Sequence, residues 1–504
     1  MSINLIRNFM KEQNINYLLV NSTNKYLVEY CPLEENSRYK LTGFSGSTGD
    51  VLVTNDNIYL FVDGRYHIQA DLEVNPDIVS VIKLQTGENF QDEIIKRIPK
   101  DELLGMFSKK NSQKRIEYFL DKNVKVKLLD TDPLDDNIMT KQTNYTEVEG
   151  LPVKEKVKNI NDTILITNLE EVSYLFNMRD FSTNYSSKIC AKAVIKDNNA
   201  IYLKDIEDFI KSHDGDIWVD KSSINAYDYK IIGNKAQILK DSPIKLMKSI
   251  KTDAEIEHYK KAFERTDMAM KAIRNFINNN ENISEYDISE QLEKEFRRYG
   301  AKNLSFKSIV AKDKNSALAH YSKCSKNEII NEGSLVLIDC GAYYEQGLAT
   351  DITRVFVKGK PNNLQKKVYT TVLKMFLNAF NYKSNIYRGY DIDELARKIY
   401  SNNIIEGFEF NHGLGHGIGI NVHEYPPNLS RNELAKVEIK DGMCFTIEPG
   451  LYKQNYFGVR LENSCYLKNE EIHSFTHMNY EKKLIDFSMF SEQEKKWLDN
   501  FEVI

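Results

Sequence analysis

The stretch HGLGHGIGINVHE, residues 412–424, sets His412, His416 and His423 among four glycines, in a chain with nine histidines in 504 residues. Histidines four apart share one face of a helix, which is how a zinc helix presents them. Here each interior glycine would cost a helix about 1 kcal/mol relative to alanine. Gly413 also stands where such a helix carries its glutamate. The segment therefore reads as a glycine-rich loop running into a strand. Asn421 and His423 would face one side of that strand and Ile420 and Val422 the other. Histidines so placed could ligate a metal, move a proton or hydrogen-bond a substrate.

Four carboxylates accompany them. Leu335, Val336, Leu337 and Ile338 form an apolar strand that ends in Asp339. A glycine-containing turn follows, and a second strand carries Asp351 and ends Ile-Thr-Arg-Val-Phe-Val. In DGMCFTIEPGLY, Cys444, Thr446 and Glu448 share a face opposite Met443, Phe445 and Ile447. In FGVRLENSCYL, Arg460, Glu462 and Ser464 share a face opposite Val459 and Leu461. One such carboxylate could be a solvated strand end. Four of them in apolar strands would be expensive to bury unless paired or bound to a cation. Gathered together they could not all ionise without counter-charge. Two divalent metals would balance four carboxylates and one imidazole. An oxygen-rich donor set with a single histidine suits manganese better than it suits zinc–thiolate chemistry.

The elements that must position these residues are mixed. Residues 51–66 read as a hairpin, Val51–Thr54 and Ile58–Val62 about an Asn-Asp-Asn turn. DTDPLDDNIMTKQTNYTE reads as a linker, and TILIT, ICAKAVI and IWVD read as strands around a helix in NLEEVSYLFNM. Thr252 and Glu255 fit a capping box. Ile256, Tyr259, Phe263, Thr266, Met270, Ile273 and Ile277 then recur at steps of three and four, which predicts a long helix with one buried stripe. The length suggests about three domains. The net charge of −5 argues against a general nucleic-acid binder. No apolar run has the length of a membrane span, and the N-terminus lacks the pattern of a secretory signal. The six cysteines have no framework spacing, which points to free thiols in a reducing cytoplasm.

Taken together these motifs resemble the pita-bread metallopeptidases, and within them the three-domain Xaa-Pro aminopeptidases. RYKLTGFSGSTGDVLVTNDNIYLFVDGRYHIQA is similar to their N-terminal domain signature, LEEVSYLFNMR to one of their second domain, and KLIDFSMFSEQEKKWLDNF to the end of the longer members. The resemblance implies a mixed α+β and α/β chain. Two creatinase-like domains, 1–130 and 131–245, would precede a pita-bread catalytic domain at 246–504. It implies metal ligands Asp339, Asp351, His416, Glu448 and Glu462, with Asp351 and Glu462 bridging two ions. It implies Glu448 as proton shuttle, His320 and His423 as catalytic residues that hydrogen-bond substrate and tetrahedral intermediate, and His412 and Arg460 as the proline-side pocket. The activity implied is release of the first residue from peptides with proline second, by a metal-bridging hydroxide. The family also suggests a homodimer, while the cysteines, charge and hydropathy suggest a cytoplasmic chain without membrane or nucleic-acid partners. The segment from His416 to His423 is shorter than in the three-domain members and resembles single-catalytic-domain aminopeptidases and prolidases. A prolidase is therefore the alternative, and a non-catalytic pita-bread binding protein a more distant one.

Overall fold

The computed structural model describes residues 2–503 apart from 86–87, 136–143, 322 and 502. The middle of the expected linker lies outside the described residues. The chain forms two compact units, residues 1–180 with 188–244, and residues 181–187 with 245–504.

The first unit holds two large sheets wired alike. In the six-stranded sheet, Tyr17–Asn21 pairs antiparallel with Asp50–Thr54 and parallel with Leu103–Phe107. Asp50–Thr54 and Ile58–Val62 form the expected hairpin. In the five-stranded sheet, Ile164–Ile166 pairs antiparallel with Lys192–Lys196 and parallel with Ile217–Val219. Leu18 and Val20 face one apolar layer of the first sheet and Leu19 the other. A sheet covered on both sides needs such continuous apolar runs. The sheets meet through two helices. Gln113–Asp121 is capped by Ser112 and Ala226–Ile232 by Asn225. Gln113 donates its N–H to Ile224 O, and Ala226 donates its N–H to Asn111 O, at 3.0 and 2.9 Å.

In the second unit the helix Asp253–Asn279 has the expected capping box at Thr252 and Glu255. All seven residues of its predicted stripe are buried. The helix lies over a three-stranded antiparallel sheet, Ile309–Lys312, Leu335–Cys340 and Ile352–Val357, in which Asp339 sits opposite Thr353. A five-stranded sheet runs in the order Glu424–Leu429, Gly415–Gly417, Cys444–Ile447, Asn463–Lys468, Glu471–Ser474. A two-stranded ribbon, Gly450–Lys453 with Phe457–Arg460, lies between Cys444–Ile447 and Asn463–Lys468 in sequence. Helices Asn363–Phe380 and Gly389–Ser401 cover these strands with an apolar core.

Two expectations need correction. Residues 420–423 are not strand. Strand pairing starts at Glu424, and Ile420–His423 form a tight loop because Glu424 caps two of its backbone N–H groups. Of the four carboxylates, only Asp339 lies inside a strand. Asp351 precedes Ile352–Val357, Glu448 follows Cys444–Ile447, and Glu462 occupies a break between Phe457–Arg460 and Asn463–Lys468. At that break the chain changes sheets. Leu461 N–H turns to Pro449 O and Glu462 N–H to Thr353 O, at 3.3 and 3.1 Å.

Candidate active site

Strand ends are where side chains can converge without breaking a ladder, and Asp351, Glu448 and Glu462 do so around His416. One ligand atom from each of Asp351, His416 and Glu462 lies within 4.8 Å of the other two. His416 Nε2 is 3.6 Å from Asp351 Oδ2 and 3.4 Å from Glu448 Oε1. Its Nδ1 lies 3.0 Å from Gly417 O. A carbonyl only accepts, so Nδ1 carries the proton and Nε2 faces the carboxylates, the arrangement seen in metal-binding imidazoles. Gly415 and Gly419 are forced by sterics. A Cβ at Gly415 would lie 2.0 Å from Thr446 O, and one at Gly419 2.2 Å from the Glu424 carboxylate. The close approach that those two glycines permit is thus to the chain's own groups.

The cluster is costly without added charge. Burial, then the neighbouring Glu462 and Asp339, raises the Asp351 carboxyl well above its ordinary range. Burial and Glu462 raise Glu448 likewise. Burial and Asp339 push Glu462 up to about 8, against a 2.7 Å hydrogen bond donated by Thr353 Oγ1. Asp339 Oδ1 and Asp351 Oδ1 are buried without a hydrogen-bond partner. Orphaned anionic oxygens beside an imidazole fit divalent cations, which would satisfy the oxygens and remove the repulsion together.

Arg460 organises the other side. It is 3% exposed. Its Nη2 donates to Asp339 Oδ2 at 2.5 Å, its Nη1 to Tyr452 OH at 2.8 Å and its Nε to Thr353 Oγ1 at 3.2 Å. Tyr452 OH in turn lies 2.9 Å from His412 Nε2, while His412 Nδ1 lies 2.7 Å from Gly413 O. Because Nδ1 must donate to that carbonyl, Nε2 of a neutral His412 accepts from Tyr452. Burial pushes the Tyr452 hydroxyl up to about 12 despite Arg460, so it stays a donor. The histidine loop is gripped from helix Gly389–Ser401. Arg397 donates to Phe410 O and His412 O, and Asp393, paired with Arg397, accepts from Leu414 N–H. His423 meets His416 edge-on, with ring centroids 4.3 Å apart. His320 is half-buried on the segment after the turn Asp313–Ala317. Ser316 exchanges hydrogen bonds with Gly458, which ties that turn to the Arg460 strand.

Thr353, Tyr452 and Arg354 were not singled out from the sequence, and Thr446 was placed on the Glu448 face without a role. Thr446 Oγ1 receives His416 N–H at 3.1 Å. Arg354 is fully buried and donates to Glu462 O at 2.7 Å and Asn463 Oδ1 at 2.9 Å, which holds the strand break in place. Polar residues inside apolar strands are the signal that Thr353, Thr446 and Arg354 do offer. Tyr452 has none.

A buried carboxylate–imidazole cluster of this kind could hold divalent cations, and comparison with known proteins bears on what it does. Residues 257–469 match metallopeptidase family M24, and residues 3–137 match the creatinase/prolidase N-terminal domain. The chain thus holds a metallopeptidase family M24 domain and a creatinase/prolidase N-terminal domain. It is 27% identical to Xaa-Pro aminopeptidase 1 of Dictyostelium discoideum, with 98% of this chain and 91% of that protein covered. It is 26% identical to the protein named "Probable Xaa-Pro aminopeptidase P" in Coprinopsis cinerea, with 98% and 93% covered. Among solved structures, the X-prolyl aminopeptidase from Caenorhabditis elegans, described as a cytosolic enzyme with a di-nuclear active site, matches with a TM-score of 0.87. It is 21% identical, and 96% of this chain and 90% of that one are covered, which establishes a common fold.

Proposed function

We propose that the chain is a dinuclear metal-dependent Xaa-Pro aminopeptidase, releasing the first residue of peptides that carry proline second. The observation that carries this is the convergence of Asp351, His416 and Glu462 within ligand distance, beside Glu448, in a domain of the M24 family. The relatives that match along nearly the whole chain supply the substrate class. Asp339, Asp351, His416, Glu448 and Glu462 would hold two divalent ions. Bound there, such ions would supply Lewis-acid polarisation of the scissile carbonyl and acidification of a water.

The remaining work falls to side chains. Glu448 takes the proton of the attacking water and passes it to the leaving nitrogen. That nitrogen belongs to a tertiary amide with no N–H. His320 and His423 hydrogen-bond the substrate and the tetrahedral intermediate. His412, oriented by Tyr452, and Arg460 shape the proline side. We extend the proposal to manganese, on the oxygen-rich donor set with one imidazole. We extend it also to a reducing cytoplasm, on the six free cysteines, to a homodimer, and to the division 1–130, 131–245 and 246–504. No helix among the described residues is long and apolar enough to cross a membrane.

The deciding experiment compares Arg-Pro-Pro with Ala-Pro, on chelator-stripped protein with manganese restored. Release of arginine from the tripeptide is expected. Cleavage of the dipeptide alone would make the protein a prolidase, the reading favoured by the short His416–His423 segment. No cleavage of either by metal-loaded protein would leave a peptide-binding protein. Light scattering tests the dimer.

A further inference from the structure

The loop that presents His423 rests on a buried ion cluster with no part in the chemistry above. Glu424 is 5% exposed. Its Oε2 lies 3.0 Å from Lys248 Nζ and 3.2 Å from Lys251 Nζ, and both lysine side chains are buried. Its Oε1 accepts the backbone N–H of Ile420 at 2.6 Å and lies 3.4 Å from that of Asn421. One carboxylate oxygen thus faces the lysines and the other faces the loop.

The loop is closed around this contact. Gly419 donates its N–H to Asn421 O at 3.0 Å, and Asn421 Nδ2 donates to His423 O at 3.0 Å. Gly419 must lack a side chain, since a Cβ would collide with the carboxylate at 2.2 Å. From this pedestal His423 meets His416 edge-on. A single lysine would neutralise Glu424. Two of them outweigh its burial and hold its carboxyl down at about 2, so the acceptor facing the loop stays ionised.

We propose that Glu424, backed by Lys248 and Lys251, is a positioning residue: its carboxylate fixes the 419–423 loop and so sets where His423 meets the substrate. The inference rests on the reading of His423 as a substrate-facing residue of an Xaa-Pro aminopeptidase.

Two triple variants of the full chain test it. Lys248→Met, Lys251→Met and Glu424→Gln together make the cluster neutral but keep an oxygen acceptor under Ile420. Lys248→Met, Lys251→Met and Glu424→Leu together are equally neutral and have none. Each is assayed on Arg-Pro-Pro with manganese, below its melting temperature, with metal content measured. The Gln variant is expected within about tenfold of wild-type kcat/KM. The Leu variant is expected to lose a further ~100-fold, mainly in kcat and at equal metal content, the size of effect a misplacement near 1 Å produces. On a His423→Ala background the two should be equal. Equal activity of the two with His423 intact would overturn the inference, as would an undiminished difference between them without it. Should the Leu variant not fold, the Gln variant decides, and a 100-fold loss in its folded form refutes the positioning role. If wild type cleaves neither peptide, the functional reading fails instead. Hydrogen exchange then judges the loop: Ile420 and Asn421 amides protected in the Gln variant and open in the Leu variant uphold the anchoring, and equal protection overturns it.

Discussion

Replacing Arg460 with methionine should destabilise the metal-free protein far more than the metal-loaded one. Methionine keeps apolar bulk but removes the charge and all three donated hydrogen bonds. Asp339, 13% exposed at its side chain, is then left as an uncompensated carboxylate beside three others. Deleting one partner of a buried ion pair costs about 3–5 kcal/mol. With cations bound, Asp339 keeps a counter-charge. The loss then falls to the two hydrogen bonds that Tyr452 and Thr353 no longer accept, while their hydroxyls still donate to His412 and Glu462, about 1–3 kcal/mol in all. Urea unfolding of wild type and variant, each stripped and each with manganese restored, gives the four stabilities of the cycle. The reasoning fails if the stripped variant loses less than about 1 kcal/mol, or if both forms lose the same amount. Arg460→Lys retains the charge without the planar fork and should fall between wild type and the methionine variant.

Three further outcomes are expected. A carboxyl whose folded pKa is raised is stabilised while protonated, so the stripped protein should lose stability as pH rises from about 4.5 through about 8. Melting curves across this range test it, and metal-loaded protein should show no such fall. Phe263→Ala removes a fully buried ring that stacks 5.4 Å from Phe475. It should cost about 3–5 kcal/mol by denaturant unfolding. Glu448→Ala should abolish turnover and lower metal content while the first unit melts unchanged, and wild-type turnover in that variant would refute its assigned role.

The periodic parts of the chain were legible because periodicity is local. Thr252 with Glu255 and the seven-residue stripe gave the helix Asp253–Asn279, and Asn-Asp-Asn gave the first hairpin. The site was legible as a set of residue types, since carboxylates in apolar company stand out whatever their geometry. Its framing was not. Alternation through FGVRLENSCYL looks the same whether or not the chain changes sheets at Leu461 and Glu462. That change depends on Pro449 and on Thr353 and Arg354, which lie 109 and 108 residues before Glu462. Nor could INVHEYPP reveal that Glu424 folds back to cap Ile420, because what holds Glu424 in place is Lys248 and Lys251, 176 and 173 residues earlier.

The same distances bear on how the site comes into being. Arg460 and Asp339 are 121 residues apart, and Thr353 and Glu462 109. Closing loops of that length costs entropy before any contact repays it. During synthesis Asp339 and Asp351 emerge long before Glu462, so no growing chain that lacks the last strands can hold the full donor set. On the proposed ligand set, the complete metal centre can form only once the last strands are in place. In the folded, metal-free chain Asp351, Glu448 and Glu462 are held toward their protonated forms, so cations bound there would displace protons.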